Sequence, residues 1–269
     1  MEIFISDERK KFLNDLKTNK KKIFFTQIFI VLAFIVLWEV LAKLEIINPF
    51  ITSQPTRILT TMADFSSNNL FMHIGVTCFE TIIGFLLGTF LGTLIAFLLW
   101  WSKFASQVAE PFLIILHALP KGALGPIIIV WAGAGMSAII VMALAISTIV
   151  TILEMLNGFN NTDKNLIKMA TTFGASKWQI FKKIIFPSNI KTLISSMKVN
   201  IGLSLVGVIS GEFLVSKAGL GYLIVYGGQV FKLDLVMTSV LILGIAAAIL
   251  YKLVELLDKV IQKHILHSI

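Results

Sequence analysis

Residues 157–187, NGFNNTDKNLIKMATTFGASKWQIFKKIIFP, are the polar interval between two long apolar runs. An unstructured connection of about 30 residues is uncommon, and this one has the period of a helix. Leu166, Met169, Ala170 and Phe173 fall on one face, with Lys164, Lys168 and Thr171 opposite. Asn161 or Thr162 can cap the start, and Asp163 suits the positive end of the helix dipole. Gly174 then breaks the helix. Ser176-Lys-Trp-Gln179 has capping-box spacing for a second short helix. Trp178, Phe181 and Ile185 give that helix an apolar stripe, and Pro187 marks the start of the next apolar run. Two short amphipathic helices must cover their apolar sides. The end of the protein's own bundle, a membrane surface that would attract the lysines, or a groove on a partner protein could each do so. Periodicity alone does not choose among them.

Outward from this interval the chain is apolar. Of 269 residues, 57% are hydrophobic and 14% charged, against about 25% charged in an ordinary soluble domain. A soluble globule could not hide so much apolar surface. Disordered, collagen-like and disulfide-scaffold classes are excluded as well: charge is low, and Cys78 is the only cysteine. A bilayer-crossing helix needs about 20 mostly apolar residues. Six runs qualify: Ile23–Leu41, His73–Trp100, Pro111–Trp131, Met136–Leu156, Leu193–Phe213 and Leu235–Val254. The fold class expected is therefore all-α, a polytopic membrane protein of six transmembrane helices. The leader before the first run is long and highly charged, and no small-residue cleavage site follows. The first run reads as a retained anchor.

The net charge of +8 is banded, which argues against nucleic acid as a partner. With both termini on the cytoplasmic side, the inside segments carry seven basic residues in the leader, Lys103, and Lys164, Lys168, Lys177, Lys182 and Lys183 in the quoted interval. Lys191, Lys252, Lys259 and Lys263 make seventeen. The outside segments carry four: Lys43, Arg57, Lys217 and Lys232. That asymmetry sets the orientation.

Within the second run, Gly84, Gly88, Gly92 and Ala96 recur at a spacing of four, a face on which another helix can pack closely. Ionisable groups at membrane depth are costly and mark functional candidates. Lys121 lies in His117-Ala-Leu-Pro120-Lys121-Gly-Ala-Leu-Gly-Pro126, where two prolines and two glycines predict a bent or locally unwound helix. Such backbone survives where protein or a water-filled cavity satisfies it. Pro120 and Lys121 are thus pathway candidates, with snorkelling or a carboxylate partner as the plainer reading of the lysine. Lys198 is expected to snorkel, Glu80 and His73 to form a packed pair or a transport site, and Glu212 is a candidate for an external gate.

The quoted interval also resembles the EAA loop of binding-protein-dependent ABC import permeases. The family pattern is Glu-Ala-Ala, three residues, Gly, nine residues, then Ile-x-Leu-Pro. Ala170, Gly174, Ile184 and Pro187 match it in register, and Lys168, Met169 and Phe186 depart from it. Gly174-Ala-Ser-Lys-Trp-Gln-Ile-Phe181 is similar to a run of the nitrate/sulfonate/taurine branch. So are Glu110-Pro111-Phe with Leu119-Pro120, Ala123-Leu-Gly-Pro126 with Trp131-Ala-Gly133, and Gly211-Glu212-Phe-Leu with Gly219-Leu-Gly221-Tyr-Leu. Pro55-Thr56 fits the branch's first external loop. Glu80 departs, standing where relatives commonly carry arginine.

The resemblance implies a type I importer permease in the inner membrane of a bacterium, pairing with a second permease copy, most simply its own. It implies two further partners: a separate ABC ATPase, and an extracytoplasmic solute-binding protein that delivers nitrate, taurine, a sulfonate or a related small molecule. ATP would be used by the ATPase, and this chain would bind no cofactor. Thr162–Phe173 would be the coupling helix, with Asp163, Leu166, Met169, Ala170, Phe173, Gly174, Ala175 and Pro187 as the ATPase-coupling residues. The chain would then divide into a cytoplasmic leader (1–22), a first transmembrane helix (23–44), an extracytoplasmic loop (45–72), a permease core (73–257) containing the coupling loop 157–187, and a cytoplasmic tail (258–269). No Gly-x-x-x-x-Gly-Lys-Ser/Thr phosphate loop, His-Glu-x-x-His or Gly-x-Ser-x-Gly is present, so an enzyme activity or metal site of its own is not expected. The alternative to a permease is a self-sufficient secondary transporter or channel. Such folds often repeat a broken span in their two halves, and the break in the third run has no evident counterpart in the sixth.

Overall fold

The computed structural model describes residues 7–63 and 69–267, all of whose regular structure is helical. The chain divides into two compact units, residues 1–64 and 65–269.

In the first unit, α1 runs without a break from Asp7 to Lys43. The helix does not begin at Ile23 as the apolar run suggests. No Gly or Pro interrupts the charged leader, so nothing stops the helix from extending back through Lys17–Lys22. Residues 1–6 of the leader lie outside the described residues. The apolar side chains of α1, such as Phe25 and Phe29, are exposed, as on a helix solvated by lipid. Two short helices follow, α2 (Pro49–Thr52) and α3 (Pro55–Ala63). Glu39 accepts hydrogen bonds from the Thr56 backbone N–H and hydroxyl, at 3.1 and 3.0 Å, and pairs with Lys43 at 3.0 Å.

The second unit is built on three long helices, α4 (Leu70–Trp101), then, after α5 (Lys103–Ala118) and α6 (Gly125–Ala132), α7 (Met136–Asn160). The chain continues through α8 (Lys164–Thr172), α9 (Lys177–Ile180), a π turn over Phe181–Ile185 and α10 (Phe186–Ser188). It then enters the third long helix of the core, α11 (Ile190–Val215), and ends with α12 (Leu220–Gln229) and α13 (Leu233–His267). Helix α7 packs between α4 and α11, and small residues allow this. The face Gly84, Gly88, Gly92 meets Ala143, Ser147 and Thr151 of α7 in the same order. From the other side Gly207 packs on the same alanine: a β-carbon there would sit 2.6 Å from Ala143 Cα. Ala143 is therefore squeezed between two glycines, and the three backbones approach as in tightly packed membrane helices.

Among the described residues, five helices are long and apolar enough to cross a membrane, and the pair α5 and α6 makes a sixth if its two parts count as one span. That pair is bent by 88°. The third run is thus bent at its prolines and glycines, as their placement predicts. Its first half starts earlier, at Lys103, where Ser102 Oγ accepts from the Ala105 N–H at 3.2 Å. Leu119 is extended (ψ 137°) because a residue before proline avoids the helical region. A 3-10 turn, Lys121–Leu124, then leads into α6, with Pro126 in its first turn. Helix α12 has no counterpart among the six predicted runs. It packs on α11, α13 and α4.

Candidate functional site

The two ends of the 157–187 interval are fastened together. Thr162 and Asn189, both buried, meet through Asn189 Nδ2 donating to Thr162 Oγ1 at 2.8 Å. The same amide donates to the Ile185 carbonyl at 2.8 Å, and Thr162 donates to the Gly158 carbonyl at 3.3 Å. Gly158 leaves room for this, since a β-carbon there would lie 2.5 Å from Asn189 Oδ1. Thr162 reads in the sequence as a helix cap, and neither Gly158 nor Asn189 carries a motif. The only signal is a polar residue at each end of a loop whose interior is helical.

Helix α8 starts one to two residues later than predicted. Its cap is Asp163, whose Oδ1 accepts from the Asn165 N–H at 2.8 Å, and not Asn161 or Thr162. Thr162 is unavailable because it serves the Asn189 clamp. At the other end Gly174 adopts φ +78°, and two hydrogen bonds close the turn. The Ala175 N–H donates to the Ala170 carbonyl at 3.0 Å, and the Gly174 N–H donates to the Thr171 carbonyl at 2.9 Å. This is the Schellman pattern, which needs a left-handed residue where Gly174 stands. Ala170 and Ala175 pack on a core formed by Phe159, Ile180, Phe181 and Ile185. Ser176 and Gln179 form the predicted capping box, at 2.8 and 3.3 Å.

The pair of helices rests on an aromatic cluster. The ring of Phe181 lies 4.5 Å from Phe97, 5.2 Å from Trp100 and 5.4 Å from Phe159, centroid to centroid. Lys177 stands over the rings of Trp100 and Trp101 at 5.3 and 5.2 Å and donates to the Trp101 carbonyl. Pro187 lies in α10, exposed, and Asn189 separates it from the start of α11.

With α8 held in this way, its stripe divides. Ile167 and Ala170 lie against the core. Leu166, Met169 and Phe173 point outward, exposed by 42%, 53% and 84%. No residue of α8 is buried. The end of the bundle therefore receives only part of the apolar face and leaves Leu166, Met169 and Phe173 open.

The depth candidates are placed as follows. Lys121 donates its ammonium to the His117 carbonyl, one of the last carbonyls of α5, and so serves as a C-terminal cap at the 88° bend. Pro120 is the residue that opens the bend. Lys198 pairs with Asp258 at 2.5 Å, joining α11 to α13. His73 and Glu80 are not a pair. His73 Nδ1 accepts from the Gly219 N–H at 2.9 Å, and Glu80, buried, lies beside Glu212. Glu212 is 1% exposed. It accepts from Thr77 Oγ1 at 2.7 Å and from the Gly221 N–H at 2.5 Å. Thr77 in turn accepts from the Leu220 N–H at 2.8 Å. Gly219, at φ +108°, leaves the space that the Glu212 carboxylate fills. These groups fix the first turn of α12 on α4 and α11.

Residues 84–267, which hold most of α4, the bent pair, α7, the clamped loop and α11, match the family described as "Binding-protein-dependent transport system inner membrane component". The chain belongs to that family. The permease is 30% identical over 220 residues to a Haemophilus influenzae protein named "Probable ABC transporter permease protein", covering 81% of this chain and 88% of the other. It is 26% identical over 191 residues to the formylaminopyrimidine transport permease protein ThiX of Halalkalibacterium halodurans, covering 71% and 76%. It is also 26% identical over 231 residues to SsuC of Bacillus subtilis, named for aliphatic sulfonates transport, covering 85% and 83%. Among solved structures, the fold is similar to the inward-facing MetNI methionine ABC transporter (TM-score 0.60, 16% identity, 74% of this chain and 97% of the other). It is similar also to a bacterial ABC transporter that imports the acidic polysaccharide alginate (TM-score 0.63, 14% identity, 91% and 98%). The permease is accordingly a multi-pass transport component, and its family is not one of enzymes.

Proposed function

We propose that the permease forms the pathway of an importer for a small organic solute of the sulfonate class, and that α8 transmits movement from a separate ATPase. One observation carries the coupling role. Helix α8 turns Leu166, Met169 and Phe173 away from the protein while both of its ends are fastened to the bundle. A rigidly held helix with an exposed apolar stripe suits a groove on a partner, where the stripe is buried and a push on the helix moves the bundle. The charge asymmetry of the sequence puts this loop in the cytoplasm, the side on which an ATPase works. On this reading two permease copies enclose the pathway in a bacterial inner membrane, and an extracytoplasmic binding protein delivers the solute.

The solute class is supported by the relative named for aliphatic sulfonates transport and by Lys121, a cation at a break in a span. One of its N–H groups is used by the His117 carbonyl, and an ammonium has three. The others can meet a sulfonate as it passes. The test is uptake by vesicles containing the permease, its ATPase and its binding protein. Leu166→Asp and Phe173→Asp should each abolish solute-stimulated ATP hydrolysis while the permease still inserts and purifies. Stimulation at the normal level in both variants would remove the coupling role. Lys121→Met should slow sulfonate uptake severalfold more than it slows ATP hydrolysis, and equal slowing of both would leave the lysine as a helix cap alone.

A further inference from the structure

We propose that the permease holds one anionic phospholipid in a cleft at the start of α5, with its phosphate between Lys103 and Lys164 and an acyl chain running between α5 and α7. The cleft has two adjoining chambers. The first, of about 540 Å³, carries Lys103, Lys164 and Lys177 on its wall together with Trp100. The second, of about 300 Å³, is lined by Leu113, Ile114, Leu153 and Leu156. Ser106, Glu110 and Asn160 line both, so the two adjoin. A basic chamber leading into an apolar one has the order of a phospholipid, headgroup then chain. Free phosphate would have no use for the second chamber.

The charges are available. Lys103 is the first residue of α5 and Lys164 the first of α8, so each ammonium stands beside the positive end of a helix. Neither has an ion pair or hydrogen bond among the described residues. Lys177 is held at the rim by Trp100 and Trp101. Ser106 is 8% exposed and lines both chambers, where its hydroxyl can meet a phosphate oxygen. The paired tryptophans end the long apolar helix α4, where tryptophan marks the headgroup level. Basic pockets between spans at that level suit lipid phosphates. Glu110 is the one carboxylate on the wall. It accepts and does not donate, so it favours a headgroup with hydroxyl groups, and phosphatidylglycerol is the probe of choice. This inference is independent of the coupling role of α8.

The experiment is native mass spectrometry of the full-length permease with its ATPase, released from discs of phosphatidylcholine with and without phosphatidylglycerol. One phosphatidylglycerol per permease should survive release. Retention should fall roughly tenfold or more in Lys103→Gln/Lys164→Gln and persist in Lys103→Arg/Lys164→Arg. Ile114→Trp, which fills the apolar chamber without touching a charge, should also lose the lipid, and it decides the matter if the glutamine variant does not purify. Undiminished retention in either Lys103→Gln/Lys164→Gln or Ile114→Trp overturns the proposal. So does displacement of the lipid by inorganic phosphate alone, which would make the cleft a phosphate site.

Discussion

At Gly174 the backbone is left-handed, and a β-carbon built there meets nothing within 4 Å. Alanine would therefore strain only the backbone, at a cost of about 1 kcal/mol. Gly174→Ala should lower thermal stability slightly and ATPase coupling strongly, because the turn aims α8. The reverse ranking, in unfolding and coupled hydrolysis measured on one preparation, would separate Gly174 from coupling. Asn189 is the opposite kind of residue. Its amide serves two buried acceptors, so Asn189→Ala should cost roughly 1–3 kcal/mol. Calorimetric or denaturant unfolding in detergent would check this. Gly174 was legible in the sequence because a glycine ending a periodic stretch is a known stop signal. Asn189 was not. Its worth depends on Thr162, twenty-seven positions earlier, and no local pattern connects them. The settings of His73 and Glu212 were not legible for the same reason: their partners Gly219, Thr77 and Gly221 lie on other elements.

Among elements, α7 is the one that every long neighbour grips. Gly88 on α4 lies directly over the Ser147 side chain, whereas a β-carbon at Gly202 on α11 meets only open space. Gly88→Val should destabilise the permease by about 1–3 kcal/mol through overpacking. Gly202→Ala should be neutral or stabilise it by about 0.5–1 kcal/mol, since it replaces a glycine inside a helix. The apparent melting temperatures of the two variants should move in opposite directions, and a shared direction would contradict the packing described. The α4 glycine face was readable from its period of four, and the bend between α5 and α6 from its prolines. The matching use of Gly207 on α11 was not, because a spacing of four names a packing face without naming its partner. Helix α12 escaped because ten residues interrupted by glycines fall below the length of a membrane span. The early start of α1 escaped because charge marks the edge of a membrane, not the end of a helix.

For the molecule as a whole, the central claim is that α8 is where the permease is driven. The exposed stripe makes this a claim about individual side chains, since adjacent residues of one helix must behave differently. Cys78 is the sole native thiol and can be replaced by serine. Single cysteines can then be placed along α8 in the full complex, opposite single cysteines along the cleft of the ATPase, and tested for disulfide formation. Cysteines at Leu166, Met169 and Phe173 should cross-link, with yields that change when ATP is added. A cysteine at Ile167, turned to the permease's own core, should not. Cross-linking absent from all four positions in an intact complex, or equal from all four and indifferent to ATP, would contradict the account.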